Sequence, residues 1–268
     1  MPRPLYYFNP YGGNFGDALG LAIVRKMKGE DVLAVDLNTR KRTGPGIVAL
    51  GSIFHYVHDG DIVWGTGINP FWQKKIMWGT GINPFWQKKK RHRHLDIHAI
   101  RGPLSREYIE TRLGHSCPSV HGDPALLTGM LFPEKVPSPV RRFGIVPHYW
   151  DRDATRSFAD VISPTAHWEE VMTFILGCEL VVASSLHALI VAEAFGIPAR
   201  WWHSASLGSA RTEGVFKYND YYASTNRSLN DWASSINEAI EMGGKEPIRG
   251  YDYAALIGSF PRSEFCAS

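Results

Sequence analysis

One stretch places polar side chains at the junction between an apolar run and a helix-like pattern. In "VVASSLHALIVAEAFGIPA", which begins at Val181, Ser184, Ser185 and His187 follow a β-branched run and open the helical pattern. The first N–H groups of a helix are unpaired and attract phosphate or carboxylate, and a histidine beside such an anion can give or take a proton. The alternative is that a serine caps the helix and His187 only packs. The hydrolase motif GxSxG is absent around both serines.

A glycine-rich turn near the start is a second candidate. In "NPYGGNFGDALG", from Asn9, glycines between a strand and a helix let the backbone approach a ligand closely, which assigns Asn14 and Asp17 to a cleft as acceptor-side or structural residues. The spacing differs from GxGxxG, so a dinucleotide site with Asp36 as its ribose-binding acid is only weakly indicated. The favoured alternative is a plain turn with Asp17 as the helix N-cap.

Two further stretches place charged residues at strand ends. "AIRGPLSRE" puts Arg101 at the end of a strand and Arg106 in a helix that begins at Pro103. Arginine binds carboxylates and phosphates through two parallel hydrogen bonds. The alternative for Arg101 is a surface salt bridge, and for Arg106 that alternative is favoured. "VHGDPALL" puts Asp123 after a strand and before a proline-started helix, where a capping role is favoured.

The second half of the chain adds imidazole and cationic side chains. "IVPHYWD" places His148 at a strand end, and "WWHSASLGSARTEGVFKYNDYY" contains His203, Arg211, Lys217 and aromatic residues suited to stacking on a sugar ring. Each of them could also be a surface or packing residue. The sequence has no HExxH, paired CxxC or DxD-like cluster, so we predict no metal site.

The elements that position these residues alternate between strands and helices. Short apolar runs bounded by Gly, Pro or Asp predict strands at LYYF, VLAVDL, GIVALG, DIVWGTG, HAIRG, PSVHGD, RFGIVPHY, ELVVASS and IPARWW. "DALGLAIVRKMKG" predicts a helix that Gly29 ends. The pattern predicts an α/β fold with two Rossmann-like domains facing a cleft: an N-terminal domain over 1–132, a proline-rich linker over 133–142 and a C-terminal domain over 143–268.

Composition limits the classes of function. The chain has 268 residues, 44% hydrophobic and 21% charged, and its net charge of +3 does not indicate nucleic-acid binding. Three scattered cysteines, no signal-peptide pattern and no apolar run of about 20 residues predict a cytoplasmic protein. The basic run "KKKRHRH" over 88–94 is typical of a solvated loop, and it would also suit peripheral contact with the anionic inner face of a membrane or with a lipid diphosphate.

A perfect duplication interrupts the first half. "WGTGINPFWQKK" occurs at Trp64–Lys75 and again at Trp78–Lys89. Solenoid repeats diverge and need several units, so a single identical copy is not an architectural repeat. We interpret it as a recent tandem duplication or a sequence-assembly error, of which one copy continues the strand begun by "DIV" and the other loops out.

Several stretches together resemble the polysaccharide pyruvyl transferase family. The pieces occur in the family's order over Gly12–Tyr222: GGNFGD, VWGTGI, AIRGPLSRE, GDPALL, IVPHYWD, SSLHALIVAEAFGIPA and EGVFKYNDYY. The resemblance implies a GT-B-like fold and transfer of pyruvyl from phosphoenolpyruvate onto two hydroxyls of a glycan sugar. The product would be a cyclic ketal, in exopolysaccharide or cell-surface glycan biosynthesis. It implies no cofactor, phosphoenolpyruvate as the donor substrate, and a glycan acceptor, which could be lipid-linked.

The resemblance also implies roles for individual residues. His187 matches the histidine of the family's R-L-H-type motif and would be the acid, with His148 as a second proton carrier. Arg101, Ser184 and Ser185 would contact the donor. The family often has arginine where this chain has Ser185. One contact to the donor anion is therefore either missing or supplied by another residue, for which Arg106, Arg211 and Lys217 are the candidates.

Two other functions stay open at this point. "AEAFGIPA" also resembles a stretch of GT-B glycosyltransferases in which Glu193 would hold the ribose of a nucleotide-sugar. The favoured alternative for Glu193 is a helix carboxylate that pairs with a neighbouring domain. The third possibility is an inactive relative that binds a glycan without turning over a donor.

Overall fold

Parallel strands and helices alternate through the chain in two sheets. The structure, a computed structural model, describes residues 3–9, 13–68, 94–204, 213–245 and 248–265. The first sheet has the order β2-β1-β3-β4-β5 and the second has the order β6-β7-β8, and every strand pair is parallel. The strands are β1 (Leu5–Tyr7), β2 (Ala34–Asp36), β3 (Ile47–Ala49), β4 (Ile62–Trp64), β5 (Asp96–Ala99), β6 (Gly144–Val146), β7 (Val181–Ala183) and β8 (Ala199–Trp201).

Helices connect the strands and cover the sheets. Those in the described ranges are α1 (Phe15–Lys28), α2 (Pro103–Tyr108), α3 (Thr128–Leu131), α4 (Trp168–Leu176), α5 (Leu186–Ala194), α6 (Glu213–Ser224), α7 (Ile236–Met242) and α8 (Tyr253–Gly258). Short 3₁₀ helices lie at Phe54–Tyr56, Pro124–Leu127, Tyr149–Thr155 and Arg262–Phe265. The α/β class is as predicted. In such parallel sheets the loops at the carboxyl ends of the strands meet on one edge, where a site is expected.

The ends of α1 follow from local chemistry. Asn14 has extended backbone (φ −139°) and its side-chain oxygen accepts a hydrogen bond from the backbone N–H of Gly16. The prediction that Asp17 caps this helix is therefore wrong: Asn14 is the N-cap and Asp17 lies in the first turn. At the other end Gly29 adopts φ +87°, a left-handed conformation that glycine reaches without a steric penalty, and it ends the helix as predicted.

One predicted strand does not form. In "PSVHGD" only His121 pairs, through an isolated parallel bridge to Ile100. The hydroxyl of Tyr251 donates to the carbonyl of His121 at 2.8 Å, and the next carbonyls lead into the 3₁₀ helix that begins at Pro124. The segment therefore reaches the sheet edge at one residue and turns away, which places Asp123 at that edge.

The main hydrophobic cluster joins the two halves of the chain. It contains Leu19 and Ile23 of α1, Leu189 of α5 and the buried residues Ala125–Leu127 between them. Burial of such side chains is the main stabilising contribution to a fold. The shared core fixes the start of α1 relative to the start of α5.

The proline-rich segment 133–142 runs over the surface. Val136 and Val140 are largely exposed, while the N–H groups of Ser138 and Val140 donate to the carbonyls of Leu176 and Gly177 at the end of α4. The division into domains over 1–132 and 143–268 stays a prediction, as does the GT-B arrangement.

Some predictions fall outside the described residues. The first five residues of the first repeat copy, Trp64–Ile68, are described, and Trp64 ends β4. The remainder of both copies, the basic run before His94, Arg211 and Cys266 are not described. In the ranges that the structure describes, we find no helix long and apolar enough to cross a membrane and no group of three potential metal ligands.

Candidate functional site

His187 lies where the first turns of α1 and α5 meet. It is the second residue of α5, its side chain is 14% exposed, and Nδ1 packs against Gly16 of α1. A Cβ atom added at Gly16 would lie 1.8 Å from Nδ1, so only glycine leaves room for this imidazole. Because both helices present their N-terminal ends here, the positive ends of two helix dipoles converge on the site.

A buried carboxylate faces the other ring nitrogen of His187. Asp123 is fully buried; its Oδ1 accepts from the N–H of Ala125 at 3.0 Å, as predicted for a cap, while Oδ2 lies 3.7 Å from Nε2 of His187. Oδ2 of Asp123 and Nε2 of His187 are both buried and have no hydrogen-bond partner in the structure. A distance of 3.7 Å is too long for a hydrogen bond, but it brings a negative charge to an imidazole that must carry a proton to act as an acid.

Asp17 is a second buried carboxyl at this junction. The residue is 7% exposed, its Oδ2 accepts from Nδ2 of Asn14 at 2.5 Å, and a Cβ on Gly51 would lie 3.2 Å from its Oδ1. Burial raises the pKa of Asp17 to about 7, against the opposing effects of His187, the Asn14 hydrogen bond and Lys217. A carboxyl with a pKa near neutrality can both take and return a proton.

The turn after β3 brings strained backbone up to Asp17. Leu50 has φ +50° and Gly51 has φ +85°. A left-handed conformation is uncommon for a residue with a Cβ and costs of order 1–3 kcal/mol, which the surrounding structure must offset. Two groups that follow β4 hold the turn in place: the hydroxyl of Thr66 and the N–H of Gly67 both donate to the carbonyl of Gly51 at 2.9 Å.

The serines after β7 are held by their neighbours. The hydroxyl of Ser184 accepts from the N–H of His148 at 2.9 Å, and the Tyr218 hydroxyl donates to the Ser184 carbonyl at 2.6 Å. Ser185 occupies the N-cap position of α5, but its side chain makes no capping hydrogen bond. The hydroxyl of Ser185 is thus not committed to the helix end, in contrast to the capping alternative.

His148 is placed at the carboxyl end of β6, as predicted, but its ring has a structural task. Nδ1 accepts from the N–H of Trp150 at 3.4 Å and caps the 3₁₀ helix that begins at Tyr149. Burial, with smaller effects of Lys217 and His187, holds the pKa of His148 well below its ordinary value. The ring is therefore neutral near pH 7, and its role as a second proton carrier stays a prediction.

Of the residues expected to replace the family arginine, Lys217 is the one that the structure brings to the site. It lies within electrostatic range of Asp17 and His148, and it is on α6. Arg106 instead forms an ion pair at 3.0 Å with Glu110. Arg211 lies outside the described residues.

Arg101 is fully buried and bonded within the protein. Its Nε donates to Oδ2 of Asp220 at 3.0 Å, Nη1 donates to Ser52 at 2.6 Å and Nη2 donates to the carbonyl of Ile68 at 3.2 Å. Asp220, on α6, also accepts from the N–H and the hydroxyl of Ser105. The guanidinium thus ties α6 to the loops of the first sheet, and direct contact with a donor stays a prediction.

Glu193 and His203 lie apart from His187. The Glu193 side chain is 4% exposed, accepts from both Nη atoms of Arg227 at 2.9 and 2.6 Å, and accepts from the Tyr221 hydroxyl. It is a paired carboxylate, but its partners lie in the same half of the chain, 143–268, and not in a neighbouring domain as the sequence favoured. His203 follows β8, half-buried, with its ring edge against Trp201.

Sequence reasoning missed three residues that build the site. Gly16 was passed over although glycine in the first turn of a helix is unfavourable, which is a signal of close packing. Tyr218 is fully buried and stacks on Trp201, and its spacing from the buried Tyr221 and Tyr222 is the helical i, i+3, i+4 pattern. No local signal could have paired Asp220 with a residue 119 positions away.

Comparison with known proteins agrees with the motifs. One curated relative, an uncharacterised protein of Acanthamoeba polyphaga mimivirus, is 27% identical over 170 residues, which cover 52% of this chain and 57% of that protein. The chain therefore spans little more than half the length of that relative. A crystal structure of an uncharacterised Klebsiella pneumoniae protein is similar with a TM-score of 0.46 and 14% identity, over 81% of this chain and 88% of the other. The polysaccharide pyruvyl transferase family matches residues 14–201, and the chain belongs to this family.

Proposed function

We propose that the protein transfers a pyruvyl group from phosphoenolpyruvate to two hydroxyls of a glycan sugar, forming a cyclic ketal. Membership of the family supports transfer of pyruvyl to a polysaccharide. The observation that carries the finer proposal is His187, held between the N-terminal ends of two helices and opposite the buried carboxylate of Asp123. A proton donor at an anion-binding position is what this donor requires.

The donor carries a carboxylate and a phosphate, and the site offers matching groups. The first turns of α1 and α5 supply N–H donors and positive dipole ends. Lys217 supplies a formal positive charge within electrostatic range of Asp17, and it would compensate for the arginine that the family often has where this chain has Ser185. No metal is required, because these groups can stabilise the charge that develops on a leaving phosphate.

The chemistry begins with protonation of the donor's methylene carbon. His187 gives its proton to that carbon, the double-bond electrons form the new C–H bond, and the neighbouring carbon becomes electron-poor. One sugar hydroxyl adds there, and a second hydroxyl then displaces the phosphate. Asp123, 3.7 Å from Nε2, stabilises the protonated imidazole and orients the ring.

A nucleotide-sugar glycosyltransferase is not favoured. The carboxylate that would hold the ribose, Glu193, is buried in bonds to Arg227 and Tyr221. Breaking a buried ion pair to bind a ligand would cost several kcal/mol.

Turnover of phosphoenolpyruvate against a panel of model and lipid-linked glycosides tests the proposal. We expect phosphate release that depends on an acceptor, and a product whose mass has gained one pyruvyl ketal. His187→Ala should lower the rate by about 10²- to 10⁴-fold, the range for loss of a general acid, whereas the exposed His167→Ala should leave it unchanged. Glycan binding without phosphate release under any condition would instead identify an inactive relative.

A further inference from the structure

We propose that Asp17 is a catalytic residue that accepts the proton of the first attacking sugar hydroxyl, opposite His187 as the acid. This assignment rests on the proposed function and deepens it by identifying the base. The sequence placed Asp17 in a cap or at the side of a cleft, and His148 in the role of second proton carrier.

The backbone brings the two groups together from different halves of the chain. Asp17 directly follows Gly16, and the imidazole of His187 packs on Gly16 so closely that a Cβ could not be accommodated. Asp17 and His187 therefore both lie where the first turn of α1 meets the first turn of α5. The shared core under α1 and α5 keeps these two helix starts in a fixed relation.

The two oxygens of the Asp17 carboxyl have different neighbours. One oxygen accepts from Asn14, while the other faces Gly51, which has no side chain, in the turn after β3. A carboxylate in the first turn of a helix interacts favourably with the helix dipole even when it is exposed to solvent, so that interaction alone does not require burial. Burying it at 7% exposure beside a histidine carries a cost in stability that a functional role explains.

Charged groups on several elements set the titration of Asp17. Burial and, to a smaller extent, Asp36 at the end of β2 raise its pKa, whereas His187 of α5, Asn14 and Lys217 of α6 lower it; the resulting pKa is about 7. Tyr56, in the 3₁₀ helix after β3, also interacts with Asp17. Near neutral pH the carboxyl is thus present in both forms, as a group that alternates between base and acid must be.

The proton balance closes with two groups. His187 gives one proton to the methylene carbon, and the carboxylate of Asp17 takes one from the first hydroxyl as its oxygen bonds to the electron-poor carbon. The bond from that carbon to the phosphate oxygen then breaks; the phosphate leaves with the electron pair and receives the proton from Asp17. The second hydroxyl closes the ketal and its proton returns His187 to the charged form. Both residues end as they began, and no further reactant is needed.

The pH dependence of turnover tests the role of Asp17. In the wild-type protein kcat should rise with pH through about 7 as this carboxyl ionises. Asp17→Asn, which is isosteric, should lower kcat by about 10²- to 10⁴-fold with little change in KM for phosphoenolpyruvate, and should abolish that rise. Asp31→Asn, which removes an exposed carboxylate beyond the other end of α1, is the matched control and should behave as wild type.

A second variant separates a catalytic role from a structural one. Asn14→Ser keeps a residue type that caps helices but removes the amide that donates to Asp17, so the rise in kcat should move to higher pH. A merely structural Asp17 would leave the position of the rise unchanged. If wild type turns over phosphoenolpyruvate while Asp17→Asn keeps the same pH profile, the role of Asp17 is wrong and the proposed function stands. If wild type has no turnover, the proposed function is wrong and this role is wrong with it.

Discussion

The buried carboxyl of Asp17 should make the protein less stable as pH rises, and replacing it should remove that loss. Asp17 has a pKa near 7 in the folded chain and 3.8 as its ordinary value, so the folded state binds its proton more tightly than the unfolded state does. The stabilising contribution of the protonated form is complete below about pH 4 and is lost as pH rises through about 7. The pKa difference corresponds to about 4 kcal/mol over the whole interval, of which about 3 kcal/mol falls between about pH 5 and pH 8.

Urea denaturation of wild type and Asp17→Asn at about pH 5 and pH 8 measures this effect. Asparagine cannot ionise, so the variant does not lose this stability as pH rises. The free energy of unfolding of Asp17→Asn minus that of wild type should therefore be about 3 kcal/mol larger at pH 8 than at pH 5. Taking the difference between the two proteins cancels the titration of every other group that the substitution does not perturb. The exposed Asp31→Asn should show no such change.

A constant difference between the two proteins at both pH values would refute the reasoning. It would mean that Asp17 ionises at its ordinary pKa and that solvent reaches the carboxyl. A stabilising substitution that also abolishes turnover would be the expected signature of a residue kept for function at the expense of stability.

Three further substitutions test the packing around the site. Gly16→Ala should displace the imidazole of His187, which should lower kcat at least tenfold and destabilise the fold by about 1–3 kcal/mol. A Gly16→Ala variant with the same kcat as wild type would show that the imidazole does not pack against this residue. Glu193→Gln should lower the free energy of unfolding, measured by urea denaturation, by about 3–5 kcal/mol, because Arg227 is left buried without its counter-charge. The double variant Glu193→Gln/Arg227→Met should recover part of that loss. A loss below about 1 kcal/mol for Glu193→Gln would contradict a buried pair. Asp220→Asn should cost a similar amount by leaving its buried guanidinium partner without a counter-charge, and a variant as stable as wild type would contradict that bond.

Local patterns were sufficient to predict most of the elements. Alternating apolar runs and helical periodicity predicted each of the eight strands in the described ranges and the helices α1, α4 and α5, because these segments bury one face or both whatever their neighbours are. The stretch around His121 was expected to form a strand, but only His121 pairs with Ile100 before the chain enters the 3₁₀ helix that begins at Pro124.

The residues of the site divide in the same way. The sequence by itself determined the family, the α/β class and the placing of His187, Asp123 and His148 at junctions between strands and helices, since those depend on order along the chain. Only the tertiary structure decided which of these groups meet. Burial raised the pKa of Asp17 in the first turn of α1, the packing of α6 enclosed Arg101 beside Asp220, and Gly16 left room for the imidazole of His187. Desolvation and contact between helices depend on residues far apart in the chain, and no local pattern encodes them.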